Sequence, residues 1–177
     1  RPGMSQFNLC SHAFIFFIAV VFLSTSCSDQ HETLFTRLES SDTGIDFINE
    51  NHETELSNIL TYEYFYNGGG VALGDINNDG LVDIYFTSNI FSNKLYLNEG
   101  NLKFKDITAQ SGTACEIGWK TGVTMADVNG DGLLDIYVCR SASPNAERRK
   151  NILLINNGDL TFTDKAKEYN LDDASYS

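Results

Sequence analysis

The sequence predicts an all-β fold made of β-propeller blades, each a four-stranded antiparallel sheet, with two blades of an incomplete propeller in the chain. Three observations lead there. A long segment occurs twice: residues 70–87 (GVALGDINNDGLVDIYFT) return as 122–139 (GVTMADVNGDGLLDIYVC) at an offset of 52, and 93–108 return as 151–166 at an offset of 58. Each copy alternates short apolar runs with turns rich in Asn, Asp and Gly. The composition, with 14 Gly, 2 Pro and 12% aromatic residues, suits a turn-rich β protein. Four antiparallel strands recurring every fifty-odd residues are the pattern of a propeller blade.

The elements follow in chain order. Residues 1–27 read as a lipoprotein-type signal peptide. Eleven apolar residues, 13–23, are too few to span a bilayer and suit the core of a secretory signal. Small residues Ser24, Thr25 and Ser26 precede Cys27, the expected lipidation site; an ordinary cleaved signal is the alternative. Residues 28–67 form an N-terminal segment. In it Leu34-Phe35-Thr36-Arg37-Leu38, followed by Asp42-Thr43-Gly44, copies Lys103-Phe104-Lys105-Asp106-Ile107 and Ser111-Gly112-Thr113. This predicts an orphan outer strand, of the kind that completes a final blade; a lone edge strand is the plainer alternative. The first blade, 68–121, has strands expected near 71–74, 82–87, 94–97 and 104–107. The second, 122–177, has them near 123–126, 134–139, 152–155 and 161–163. Six extra residues in the second copy, within SASPNAERRK, mark a surface loop. Two blades fall short of the four that a closed propeller needs, so the chain is expected to be the beginning of a longer protein.

Lys and Arg total 12 against 24 Asp and Glu, a net charge of −12. No basic face is visible for a phosphate backbone, so nucleic acid is not expected as a partner. Removing the signal takes away Arg1 and leaves 11 basic and 24 acidic residues, a charge of −13. Cys115 and Cys139 could pair in an oxidising compartment, but packed free thiols are the commoner outcome.

Two loops carry the candidate chemistry. Asp75, Asn77, Asp79, Gly80 and Asp83 form D-x-N-x-D-G-x-x-D, and Asp127, Asn129, Asp131, Gly132 and Asp135 repeat it. Oxygen side chains at positions 1, 3, 5 and 9, with the carbonyl of position 7 (Leu81 or Leu133), suit a hard cation, Ca²⁺ before Mg²⁺. An EF-hand needs Glu at position 12, where Phe86 and Val138 stand, and flanking helices, where the pattern is β. A metal-free acidic turn is the alternative, although three carboxylates in one loop repel without a cation.

The loops, the blade period and the apolar flanks resemble the FG-GAP/VCBS repeats of integrin-α-type propellers. Gly68-Gly69-Gly70, Gly118-Trp119-Lys120-Thr121-Gly122 and Thr43-Gly44-Ile45-Asp46-Phe47 resemble, more narrowly, the bacterial VCBS proteins with an ASPIC and UnbV domain, relatives of cartilage acidic protein. The resemblance runs from about Phe35 to the end. It implies a seven-bladed or similar propeller in the bacterial cell envelope, as an outer-membrane lipoprotein or a secreted protein. The function expected is a calcium-binding surface scaffold for an extracellular protein or polysaccharide, touching the membrane through its lipid anchor only. Residues 62–66 (Tyr62, Tyr64, Phe65, Tyr66) are either packed strand or an aromatic ligand platform. Arg148, Arg149 and Lys150 are either a solvated loop or an attractor for acidic glycans. The rival class is a glycan-processing hydrolase or lyase. The only histidines are His12, His31 and His52, outside the blades, and no nucleophile elbow occurs, so no catalytic residue is expected.

Overall fold

The computed structural model describes residues 34–175; Cys27 and the signal-like segment lie outside them. Among the described residues, those from Leu38 onward form one compact unit. Among the described residues no helix is long and apolar enough to cross a membrane.

Two four-stranded antiparallel sheets are present, each in simple sequential order. The first holds β1 (Val71–Gly74), β2 (Asp83–Phe86), β3 (Lys94–Asn98) and β4 (Phe104–Asp106). The second holds β5 (Trp119–Ala126), β6 (Asp135–Ser141), β7 (Ile152–Asn156) and β8 (Phe162–Asp164). These are the blades expected from the repeat, and the ring is not closed. β5 begins at Trp119 rather than Val123: after a register shift between Lys120 and Val123, the strand pairs Trp119 with Ser141 and Lys120 with Arg140. The boundary expected between 121 and 122 thus falls inside a strand.

Residues 34–38 form no strand, against expectation. Leu34 and Phe35 are exposed. An outer strand exists by pairing with the third strand of its own sheet, and β3 and β7 already pair with β4 and β8. What the early copy does reproduce is the turn that follows. Helical turns α1 (Ser40–Thr43) and α2 (Thr108–Ser111) end on left-handed Gly44 and Gly112. The turn after β8 ends the same way on Asn170 (φ 57°).

The alternation of side chains gives each sheet two faces. Tyr85, Leu95 and Ile76 of the first sheet meet Ile136, Val138, Ile152, Leu154 and Phe162 of the second in one core between the sheets. Glycine permits the close approach of the sheets: a Cβ on Gly70 would lie 2.9 Å from the Val123 nitrogen, and one on Gly74 2.5 Å from a Leu134 methyl. The other face of the first sheet receives the N-terminal segment, where Phe47 stacks on Phe86 at 4.8 Å and Asp46 accepts the Tyr96 hydroxyl at 2.7 Å. On the far face of the second sheet Leu153, Ile155 and Ala166 form a smaller cluster with Tyr137 against it. Cys115 and Cys139 are free, partly buried thiols.

Candidate metal centres in two repeated hairpins

The two acidic motifs occupy equivalent places. Gly74 pairs with Asp83 across β1 and β2, and Ala126 with Asp135 across β5 and β6, so each motif closes the hairpin between the two innermost strands of a sheet. The hydrogen bonding repeats almost atom for atom. Asp75 accepts from the N–H groups of Asn77, Asp79 and Gly80 at 3.3, 3.2 and 2.7 Å. Asp127 accepts from Gly130, Asp131 and Gly132 at 2.7, 3.2 and 2.9 Å. Asn77 donates its amide to Asp79 at 2.9 Å, and Asn129 to Asp131 at 2.8 Å. Leu81 and Leu133, at the seventh position, donate their N–H to those same aspartates at 2.8 Å. Positions four and six take positive φ: Asn78 60° and Gly80 86°, Gly130 79° and Gly132 85°. Asn and Gly are the residues that tolerate this region.

Asp83 and Asp135 differ from the rest of the set. They are buried at the base of each hairpin, and both carboxylate oxygens of each are taken by main-chain donors. Asp83 accepts from Ile76 and Asn98 at 2.9 and 2.8 Å; Asp135 accepts from Val128 and Asn156 at 3.0 and 2.8 Å. The acid expected as the ninth-position ligand therefore ties the loop to the third strand, a role the spacing did not reveal. Desolvation raises the Asp83 carboxyl above the ordinary range, against the lowering by those two N–H groups. For Asp75, desolvation is outweighed by the N–H groups of Gly80, Asp79, Asn77 and Asn78, and the carboxyl falls below the ordinary range. Asp127 falls likewise, chiefly through the Gly132 N–H.

Among the described residues no three carboxylates, histidines or cysteines converge as a ready metal cage. The acid oxygens are turned onto N–H groups instead. The donor chemistry nevertheless fits a hard cation: every candidate donor is oxygen, and each loop aspartate keeps at least one oxygen that accepts only a single hydrogen bond. The loop tips are exposed, and they touch each other: Asn78 donates to the Gly132 carbonyl at 3.1 Å. Asn156 reaches back from β7 to the Ile76 carbonyl at 2.8 Å.

Residues 75–138, from the first acid of loop one to the end of the second hairpin, match the FG-GAP-like repeat family model. This stretch of the chain is FG-GAP-like repeat sequence. It is also 33% identical over 104 residues to cartilage acidic protein 1 of Xenopus tropicalis, covering 58% of this chain. The match spans 16% of that relative's length. Of the basic run, two members are engaged internally: Lys150 pairs with Glu147 at 3.0 Å and Asp172 at 3.5 Å, and Arg149 donates to the Ala174 carbonyl at 2.8 Å. Residues 62–66 are turns rather than strand. Phe65 is buried against Trp119 at 5.3 Å between ring centroids, while Tyr64 and Tyr66 are exposed.

Proposed function

We propose that this chain is a calcium-stabilised scaffold of the β-propeller type at the bacterial cell surface, held by a lipid on Cys27 or secreted, which presents its loops to an extracellular protein or polysaccharide. The observation that supports it most is the near-identity of the two hairpins. Two all-oxygen loops with the same turn geometry and the same buried acid, 52 residues apart, are costly as bare acidic turns and favourable as cation sites. Asp75, Asn77, Asp79 and Asp83, with the Leu81 carbonyl, would hold one ion; Asp127, Asn129, Asp131 and Asp135, with that of Leu133, the other. The ion's contribution is structural: it neutralises the loop and pins the inner hairpin. A binding role fits better than catalysis, since His52 is exposed and paired with Glu50 at 3.0 Å and the acids are committed to the loops.

The test is thermal unfolding in calcium, in magnesium and in chelator. Binding to the folded state alone contributes about 2.7 kcal/mol per site when the free ion is a hundredfold above Kd. The melting temperature is expected to rise in calcium and less in magnesium, with Asp79→Ala and Asp131→Ala each removing part of the gain. Equal melting temperatures in calcium and chelator would refute the metal assignment.

A further inference from the structure

An open groove of about 460 Å³ lies where the entry to β1 meets the start of β5. Tyr62, Tyr64 and Trp119 form its aromatic wall, with Tyr62 edge-on to both, at 5.4 Å from Trp119 and 5.8 Å from Tyr64. Asn67, Thr121 and Ser141 supply polar groups along it. Three features mark it as a site rather than a packing gap.

The first is glycine that the fold does not demand. Gly68 and Gly122 line the groove, neither needs positive φ, and a Cβ added to either meets no atom within 4 Å. Gly122 sits within β5, where glycine weakens a strand and often marks the close approach of a ligand. The second is Ser141. It is 3% exposed and lines the groove, so its hydroxyl is one of the few polar groups held in that wall. The third is charge. No lining residue is ionisable to an acid or base at neutral pH, in a chain of net charge −12. A polyanion is repelled by such a surface, and a cation finds no carboxylate in the groove.

We propose that this groove binds a neutral pyranose unit of an extracellular polysaccharide. The reading deepens the scaffold function above and rests on it. A pyranose has apolar C–H faces, which stack on aromatic rings, and an equatorial belt of hydroxyls, which pair with an amide and hydroxyls. The groove offers both, within the size range of small-ligand sites. Tyr64, 53% exposed, is the stacking platform, and Ser141 is the buried hydroxyl that fixes orientation.

Trp119 is the single tryptophan of the chain, so its fluorescence reports the groove directly. The whole chain is titrated with neutral hexasaccharides of glucose, mannose and xylose, with alginate and with a proline-rich peptide. At least one neutral sugar is expected to give a saturable fluorescence change that alginate and peptide do not. Tyr64→Ala and Gly122→Leu are each expected to weaken it tenfold or more without lowering the melting temperature. Tyr66→Ala, at an exposed ring outside the groove, leaves it unchanged. Absence of binding by every neutral sugar, preference for alginate or peptide, or undiminished binding by Gly122→Leu overturns the proposal. The calcium reading is scored separately by melting temperature: sugar binding by a calcium-insensitive protein keeps the groove and discards the metal, and the reverse result discards the groove alone.

Discussion

Asp83 and Asp79 are carboxylates four residues apart with different physical roles. Asp83 is buried with both oxygens accepting main-chain N–H groups, whereas Asp79 is exposed and bonds within its own turn. Removing the Asp83 side chain strands two donors, each costing about 1–3 kcal/mol. Asp83→Ala is therefore expected to lose about 2–6 kcal/mol even in chelator, while Asp79→Ala shows its loss only in calcium; denaturant melts in both buffers separate the two. Lys120 makes a second residue-scale case. It is wholly buried and donates to the Phe91 carbonyl at 2.7 Å. Desolvation lowers its pKa from 10.5 to about 8, with Arg140 pushing the same way and Cys115 and Glu116 opposing. The folded value lies below the unfolded one, so between them the unfolded chain holds more protons and stability rises with pH. Relative to Lys120→Met, the wild type is expected to gain about 3 kcal/mol from pH 8 to beyond 10.5, at 1.36 kcal/mol per pH unit. A flat difference would show that the ammonium is better solvated than its burial implies.

Each hairpin is a unit whose loop, buried acid and third strand are hydrogen-bonded into one piece, and the two units meet through Asn78 and Gly132. A single hydrogen bond between the loop tips limits their coupling to about 1 kcal/mol, roughly fivefold in affinity. Calcium titration of Asp131→Ala should thus show loop one weakened by no more than about that factor. Asn78→Gly, which keeps the left-handed backbone and deletes the bridge, should leave the two loops independent; coupling that survives in Asn78→Gly would have to run through Asn156 and the Ile76 carbonyl instead. The basic loop between β6 and β7 is likewise an element held by its own contacts, with Lys150 clamped between Glu147 and Asp172.

Over the whole molecule, the two sheets share one core, and the outer face of the first sheet is only partly covered. Leu154 lies in the shared core, 3% exposed, while Leu73 is 63% exposed on the far side of β1. Leu154→Ala is expected to cost about 2–5 kcal/mol by cavity formation. Leu73→Thr changes stability by less than about 0.5 kcal/mol and reduces self-association, because it breaks up an apolar surface with Val71 and Val82 beside it. Equilibrium unfolding and light scattering on the two variants check both statements. If Leu73→Thr unfolds as readily as Leu154→Ala, the outer face is packed after all.

What the sequence by itself determined is local. Short apolar runs bounded by Asn, Asp and Gly placed β1 and β7 within a residue of their observed ends, and the repeated D-x-N-x-D-G-x-x-D spacing located both acidic hairpins, because a turn is specified by the few residues that compose it. Copying of one segment by another made the second sheet legible from the first. The tertiary structure decided what depends on residues far apart in the chain. Trp119 joins β5 only because Ser141 lies opposite it after a register shift. Residues 34–38 have strand-like side chains and form no strand, since a strand needs a hydrogen-bonding neighbour and propensity alone supplies none. Phe65 is core and Tyr64 is surface because Trp119, more than fifty residues later, packs under one of them. Lys120 is buried for a similar reason, its ammonium finding the Phe91 carbonyl across the sheet interface, and no pattern of neighbours along the chain records a contact made by distant segments in space.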